Sequence, residues 1–383
     1  MLRKKLARGF LLGLAMVFLA GSVSFQKVEA EELTISAQSA ILMAGRSGTI
    51  LYEKDAHSRR PMASTTKIMT ALLTLEEAER LGDPVVSITE EMVAVEGSSM
   101  GLHPGDEISL KNLAVGMLLA SGNDAANAAA LYLDGSLDLF VDRMNSRADQ
   151  LGMEDTHFVT PSGLDGEDGE GLGHYSTAYD MALLAQEALQ NDAFREICSS
   201  SSRSVTFSQP PKQVTYTNHN KLLTQYEGCL GVKTGYTKKA GRCLVSAAER
   251  EGVLLIAVTL NAPDDWKDHT VLLDQGFSQV ESFQADAEEI SISVPVVGSD
   301  RDSVQVLGIG TADVPVLPGE PICQRICVPA FLYAPVKAGD QVGEVRWYSN
   351  DALLAKLPLI ASQTVEIEES SPGFWERLWG KKP

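Results

Sequence analysis

Pro61-Met62-Ala63-Ser64-Thr65-Thr66-Lys67-Ile68-Met69-Thr70 reads as the beginning of a helix. Ser64 stands at a capping position, and behind it Ile68, Ala71, Leu72 and Leu75 recur with helical spacing. Gly82 fits as the residue just past the helix end. Ser64 and Lys67 are three apart and so face the same way, near free backbone N–H groups and the positive end of the helix dipole. That pairing suits nucleophilic catalysis. A serine hydroxyl attacks only when a base takes its proton, and a lysine is such a base only when neutral. Burial and a nearby positive helix end both push a lysine pKa down. Taken alone, a Ser-x-x-Lys pattern is common, and a plain helix cap beside a solvated lysine explains it equally well.

Two further stretches alter that balance: Ser121-Gly122-Asn123 and Lys233-Thr234-Gly235. A helix cap and a turn are their bland readings. In this order and in one chain, the three motifs form the trio associated with penicillin-binding proteins and class A β-lactamases.

Around them the chain has 383 residues, enough for two domains. Hydrophobic content is 44% and charged content 22%, ordinary for a globular protein. The formal net charge of −19 leaves no broad basic surface for phosphates and argues against nucleic acid as a partner. Residues 1–30 read as a signal peptide: Arg3, Lys4, Lys5 and Arg8, then the apolar stretch Gly9 to Ala20, then Val28-Glu29-Ala30 as a small-x-small cleavage site. Five cysteines, an odd and sparse set, are read as structural; Cys323 and Cys327 are spaced to pair or bind metal, with no second ligand pair nearby.

Ser39–Met43 and Gly48–Glu53 read as a hairpin, Leu110–Leu119, Leu137–Leu151 and Ala178–Leu189 as helices, with another beginning near Ala125. Val214–Tyr216, Cys243–Ala248 and Val253–Leu260 read as strands, and Asp268–Phe277 as a helix. The acidic segment Gly163–Gly173 lacks the ordered ligand spacing of a calcium loop and reads as solvated. After about residue 284, short strand-like runs separated by Gly, Pro and Asp read as a small all-β domain. At the end, Phe374, Trp375, Leu378 and Trp379 share one face of a short helix with a basic terminus, a pattern suited to a membrane interface and too short to span a bilayer.

On the three motifs and their order, the chain resembles the low-molecular-weight penicillin-binding proteins, serine-type D-alanyl-D-alanine carboxypeptidases. Asp155-Thr156-His157-Phe158 and Gly231–Gly241 also fit. The resemblance implies an α+β fold: a β-lactamase-like transpeptidase domain, an antiparallel sheet flanked by helices, followed by a small all-β domain. The expected layout is a signal peptide (1–30), a catalytic domain (31–284), a β-rich domain (285–365) and an amphipathic membrane-associating tail (366–383). It implies a substrate, peptidoglycan stem peptides ending in D-Ala-D-Ala, covalent inhibition by β-lactam antibiotics, no cofactor and no metal, and a place outside the cytoplasmic membrane. It implies Ser64 as nucleophile, Lys67 as base and Ser121 as proton relay. Asn123 would orient Lys67 and substrate, Lys233 and Thr234 would bind the terminal carboxylate, and Gly235 would let substrate lie close. The N–H groups of Ser64 and Tyr236 would form the oxyanion hole.

The chain departs from the family pattern in two places. Tyr236 stands where family members often carry histidine. A later carboxylate-binding arginine of some relatives has no counterpart in Asp264-Asp265-Trp266-Lys267-Asp268-His269, where Lys267 and His269 are the available cations and neither is assigned. The rivals are a β-lactamase-like hydrolase, for which no Glu-x-x-Leu-Asn pattern is present, and a non-catalytic β-lactam sensor, which the three intact motifs disfavour.

Overall fold

A computed structural model describes residues 33–349 and 351–368; the expected signal segment and the tail beyond residue 368 lie outside the described residues. The first hairpin pairs β1 (Ser39–Ala44) with β2 (Ile50–Lys54). A 3-10 turn (Ala63–Thr66) runs directly into α1 (Lys67–Leu81), which ends at Gly82 with φ +76°, a left-handed value that glycine adopts without penalty. Ser64 is therefore not the helix cap. It lies inside the 3-10 turn, where the hydroxyls of Thr65 and Thr66 donate back to the carbonyls of Met62 and Ala63. Those bonds tighten the turn and leave the Ser64 hydroxyl to face Lys67.

The short strands β3 (Val85–Ser87) and β4 (Glu107–Ser109) pair around the one-turn helix α2 (Glu90–Val93). Ser109 then caps α3 (Leu110–Leu119), whose residues are nearly all buried. A left-handed residue, Ser121, turns the chain into α4 (Asn123–Asp134), and Ser136 caps α5 (Leu137–Gln150). α6 (Ala178–Ala188) and α7 (Asp192–Cys198) follow, then the hairpin of β5 (Ser202–Phe207) and β6 (Lys212–Thr217) and the short α8 (Leu222–Gln225). The serine run at 199–202 is the link from α7 to β5, two elements absent from the sequence reading.

The chain closes its main sheet with β7 (Cys229–Thr237), β8 (Gly241–Arg250) and β9 (Val253–Leu260), in the order β2-β1-β9-β8-β7, every pairing antiparallel. β9 is apolar at nearly every position and wholly buried, as a strand covered on both faces must be. α9 (Asp265–Phe277) and α6 both pack on it. Each Leu or Ile side chain so buried contributes about 1.5–3 kcal/mol. α9 begins three residues before the expected Asp268. β7, at the sheet edge, faces the 3-10 turn of Ser64.

The β-rich part comprises β10 (Glu281–Asp286), β11 (Ser291–Val297), β12 (Ser303–Gly308), β13 (Thr311–Val316), β14 (Ile322–Cys327), β15 (Leu332–Tyr333), β16 (Gln341–Ser349) and β17 (Ala352–Ala361). Six of these form a sheet ordered β14-β16-β17-β12-β11-β15, while β10 pairs with β13. β10 runs across residue 284, where the composition changes. Val294, Val296, Val306, Val345, Trp347 and Leu359 make a core of their own. All five cysteines are free thiols. Cys323 and Cys327 lie four apart on one extended strand, about 13 Å along it and beyond the reach of a disulfide with each other.

Candidate active site

The Lys67 Nζ is fully buried and sits 3.0 Å from the Ser64 Oγ, 2.6 Å from the Asn123 Oδ1 and 2.6 Å from the Ser162 carbonyl oxygen. The last two partners are acceptors only. A neutral amine has two hydrogens and one lone pair, so it satisfies both acceptors and still takes the serine proton. Burial drives the Lys67 pKa far below its ordinary value, and the nearby Lys233 drives it further, against a smaller opposing pull from Asp124. The geometry and the electrostatics both favour the neutral amine that a base must be.

Asn123 is the first residue of α4. Its Nδ2 donates to the Glu96 carbonyl at 2.6 Å, which fixes the amide so that Oδ1 meets Lys67. Ser121, two residues earlier, has φ +57°, a costly value for a side chain with a Cβ, and lines the same cleft as Ser64. Asp124 had no role in the sequence reading. Its carboxylate accepts from the Ser99 hydroxyl and from the N–H groups of Met100, Gly101, Leu102 and Ala125. It thus gathers the loop that brings Ser98 to the cleft wall.

Lys233, Thr234, Gly235 and Tyr236 are consecutive on β7. A Cβ on Gly235 would lie 3.1 Å from the Met62 oxygen and from the Ser64 and Thr65 nitrogens, so glycine lets this strand reach the nucleophile's turn. Lys233 is 1% exposed, and burial lowers its pKa to about 7. Tyr236 is 67% exposed at the mouth.

His174 supports the turn from behind. Its Nδ1 accepts from the Val159 N–H, so Nε2 carries the proton and donates to the Thr66 hydroxyl, which donates to the Ala63 carbonyl. Burial, chiefly, holds this imidazole neutral, its pKa lowered to about 3.

The cleft measures about 340 Å³ and is lined by Ser64, Ser98, Ser121, His219, Lys221, Thr234, Gly235, Tyr236, Arg242, Asp265 and Trp266. The eight residues expected from sequence meet here: Ser64, Ser121, Thr234, Gly235 and Tyr236 line the cleft or its mouth, and Lys67, Asn123 and Lys233 are buried next to it. His269 does not join them. It is wholly buried between the hydroxyls of Ser246 and Thr259. Lys267 is exposed and outside the lining. Arg242, on β8 opposite Tyr236, is inside it. The short β7–β8 turn was the signal: counting back across it from Tyr236 reaches Arg242.

Residues 26–264 match the family model described as D-alanyl-D-alanine carboxypeptidase, and residues 277–367 the one described as penicillin-binding protein 5, C-terminal domain. The D-alanyl-D-alanine carboxypeptidase DacF of Bacillus subtilis is 31% identical over 377 residues, covering 95% of each chain. DacC of Escherichia coli, with the same description, is 32% identical over 397 residues, covering 98% of this chain and 94% of its own. Among solved structures, penicillin binding protein 5 from Haemophilus influenzae superposes with a TM-score of 0.60 at 28% identity, over 87% of this chain and 98% of the other. The Streptomyces K15 DD-transpeptidase gives 0.59 at 34% identity, over 64% of this chain and 98% of its own.

Proposed function

Since the chain belongs to the D-alanyl-D-alanine carboxypeptidase family, we propose that Ser64 removes the terminal D-alanine of peptidoglycan stem peptides through an acyl-enzyme. The activity is that of a serine-type D-Ala-D-Ala carboxypeptidase, a penicillin-binding hydrolase. The observation that carries the residue roles is the buried Lys67 amine, 3.0 Å from the Ser64 hydroxyl with its two hydrogens already committed to acceptors.

In this reading the Ser64 Oγ attacks the carbonyl carbon between two D-alanines while its proton passes to the Lys67 Nζ. The oxyanion sits between the N–H groups of Ser64 and Tyr236, on facing elements that Gly235 allows to approach. Collapse breaks the C–N bond, and the departing amine takes its proton through Ser121. Water then attacks the ester by the same route reversed, giving the shortened peptide and free Ser64. Lys233 and Thr234 hold the terminal carboxylate. A β-lactam follows the first half of this path and leaves a stable ester on Ser64.

Residues 31–284 would be the catalytic domain and 285–365 the β-rich domain, with residues 1–30 directing export and the tail resting on the outer face of the cytoplasmic membrane. The test of the chemistry is release of D-alanine from a peptide ending in D-Ala-D-Ala. Ser64→Ala should lose both release and covalent labelling by penicillin. A penicillin label that maps to Ser121 would overturn the assignment.

A further inference from the structure

A substrate that ends in a carboxylate needs a fixed positive partner, and Lys233 alone is a poor one. With a pKa lowered to about 7, its ammonium is only about half charged at neutral pH in the empty site. His219 is held below its ordinary pKa by burial and by Lys233, and Lys221 is an exposed, flexible point charge. An arginine keeps its charge at every working pH and presents a planar fork to carboxylates.

Arg242 meets those requirements. It lies on β8 directly opposite Tyr236, and with the period of two along β7 it shares a sheet face with Thr234. Its Nε and Nη2 both donate to the Asp265 Oδ1, at 3.0 and 2.7 Å, and its guanidinium carbon stands 5.7 Å from the Trp266 ring centre. Asp265 is nearly enclosed and also accepts from the Trp266 N–H, so the anchor is itself anchored. These bonds hold one edge of the guanidinium and leave the Nη1 side for a ligand. The Arg242 side chain remains 42% exposed at the cleft wall.

We propose that Arg242, held by Asp265, joins Lys233 and Thr234 in binding the terminal carboxylate of the substrate, so that in this chain the guanidinium comes from β8. This rests on the carboxypeptidase reading of the site. Arg242 contacts the ligand; Asp265 is a positioning residue.

The test compares two peptides, one ending in D-Ala-D-Ala and one with the same sequence ending in the D-alanine amide, on the full chain. In Arg242→Gln, the preference for the free carboxylate falls roughly ten- to hundredfold, the worth of a charge-assisted hydrogen bond. The loss appears as a raised KM for the carboxylate peptide, with kcat changed little. Arg242→Lys gives an intermediate preference, because it keeps the charge and loses the fork. Asp265→Asn lowers the preference in the same direction, again through KM. Melting curves and circular dichroism show that each variant is folded. An unchanged preference in Arg242→Gln, at whatever overall rate, overturns the assignment of Arg242 alone. A wild-type chain that releases neither D-alanine from the first peptide nor D-alanine amide from the second overturns the reading of the site and this proposal with it.

Discussion

Replacing Lys233 by Met should make the protein more stable while disabling it. Lys233 is 1% exposed, and its ammonium is displaced from an ordinary 10.5 to about 7 by burial alone. At about 1.4 kcal/mol per pH unit, that displacement costs the folded state about 4 kcal/mol at pH 7. The sign follows from proton counting. Between pH 7 and 10.5 the unfolded chain keeps a proton that the folded chain has released, so the Lys233 penalty shrinks as pH rises. By pH 10 about 1 kcal/mol of it remains. Met fills a similar volume without a charge but does not pack without loss, so the net gain expected at pH 7 is about 1–3 kcal/mol. Denaturant unfolding followed by circular dichroism, at pH 7 and pH 10, measures it. The advantage of Lys233→Met should be clear at pH 7 and mostly gone at pH 10; losing Lys233 also relieves part of the pressure on the Lys67 ammonium, which acts in the same direction. A variant that is less stable at pH 7, or an advantage that does not change with pH, would refute the argument.

Three more outcomes are expected. Lys67→Arg should be nearly inactive, since a guanidinium does not deprotonate in a protein, and wild-type acylation should rise with pH through an apparent pKa well below the ordinary lysine value; an arginine variant acylated by penicillin at close to the wild-type rate would end the proposal for Lys67. Gly235→Ala must push β7 away from three backbone atoms 3.1 Å from its new methyl, and should lower kcat/KM by about tenfold or more with little change in melting temperature; unaltered turnover would show that the strand does not border the reacting carbonyl. A protein ending at Glu369 should lose flotation with anionic liposomes that the chain with its tail shows; equal partition of both would refute membrane attachment.

The elements legible from sequence were those whose burial writes a period. β9 is apolar along its length because both faces are covered, and α3 begins at its capping Ser109. α7 and β5 went unread because a seven-residue helix and a six-residue strand are short, and the serines between them carry no turn signature. β10 and β13 pair only with each other and stay largely polar outside. In the site, the motifs were legible because spacing along one helix or one strand decides which side chains meet. Ser64 was misread as a cap because the sequence does not separate a 3-10 turn from a first helical turn; the hydroxyls of Thr65 and Thr66 decide it. Asp124 and His174 were illegible for another reason, and Arg242 was legible only once strands were paired across a turn. Asp124 acts on a loop more than twenty residues away, His174 on a turn 108 residues away, and Arg242 depends on cross-strand register.

β7 ends the main sheet, and its Thr234, Gly235 and Tyr236 border the cleft. A strand edge left open to receive one extended peptide is open in principle to any other, including a strand of a neighbouring molecule. Lys238 and Lys239, in the turn that leaves this edge, place two like charges where two such edges would meet. Colloidal behaviour and catalysis thereby share one element: the strand that borders the ligand cleft is also an edge of the sheet, with two exposed lysines in the turn at its end.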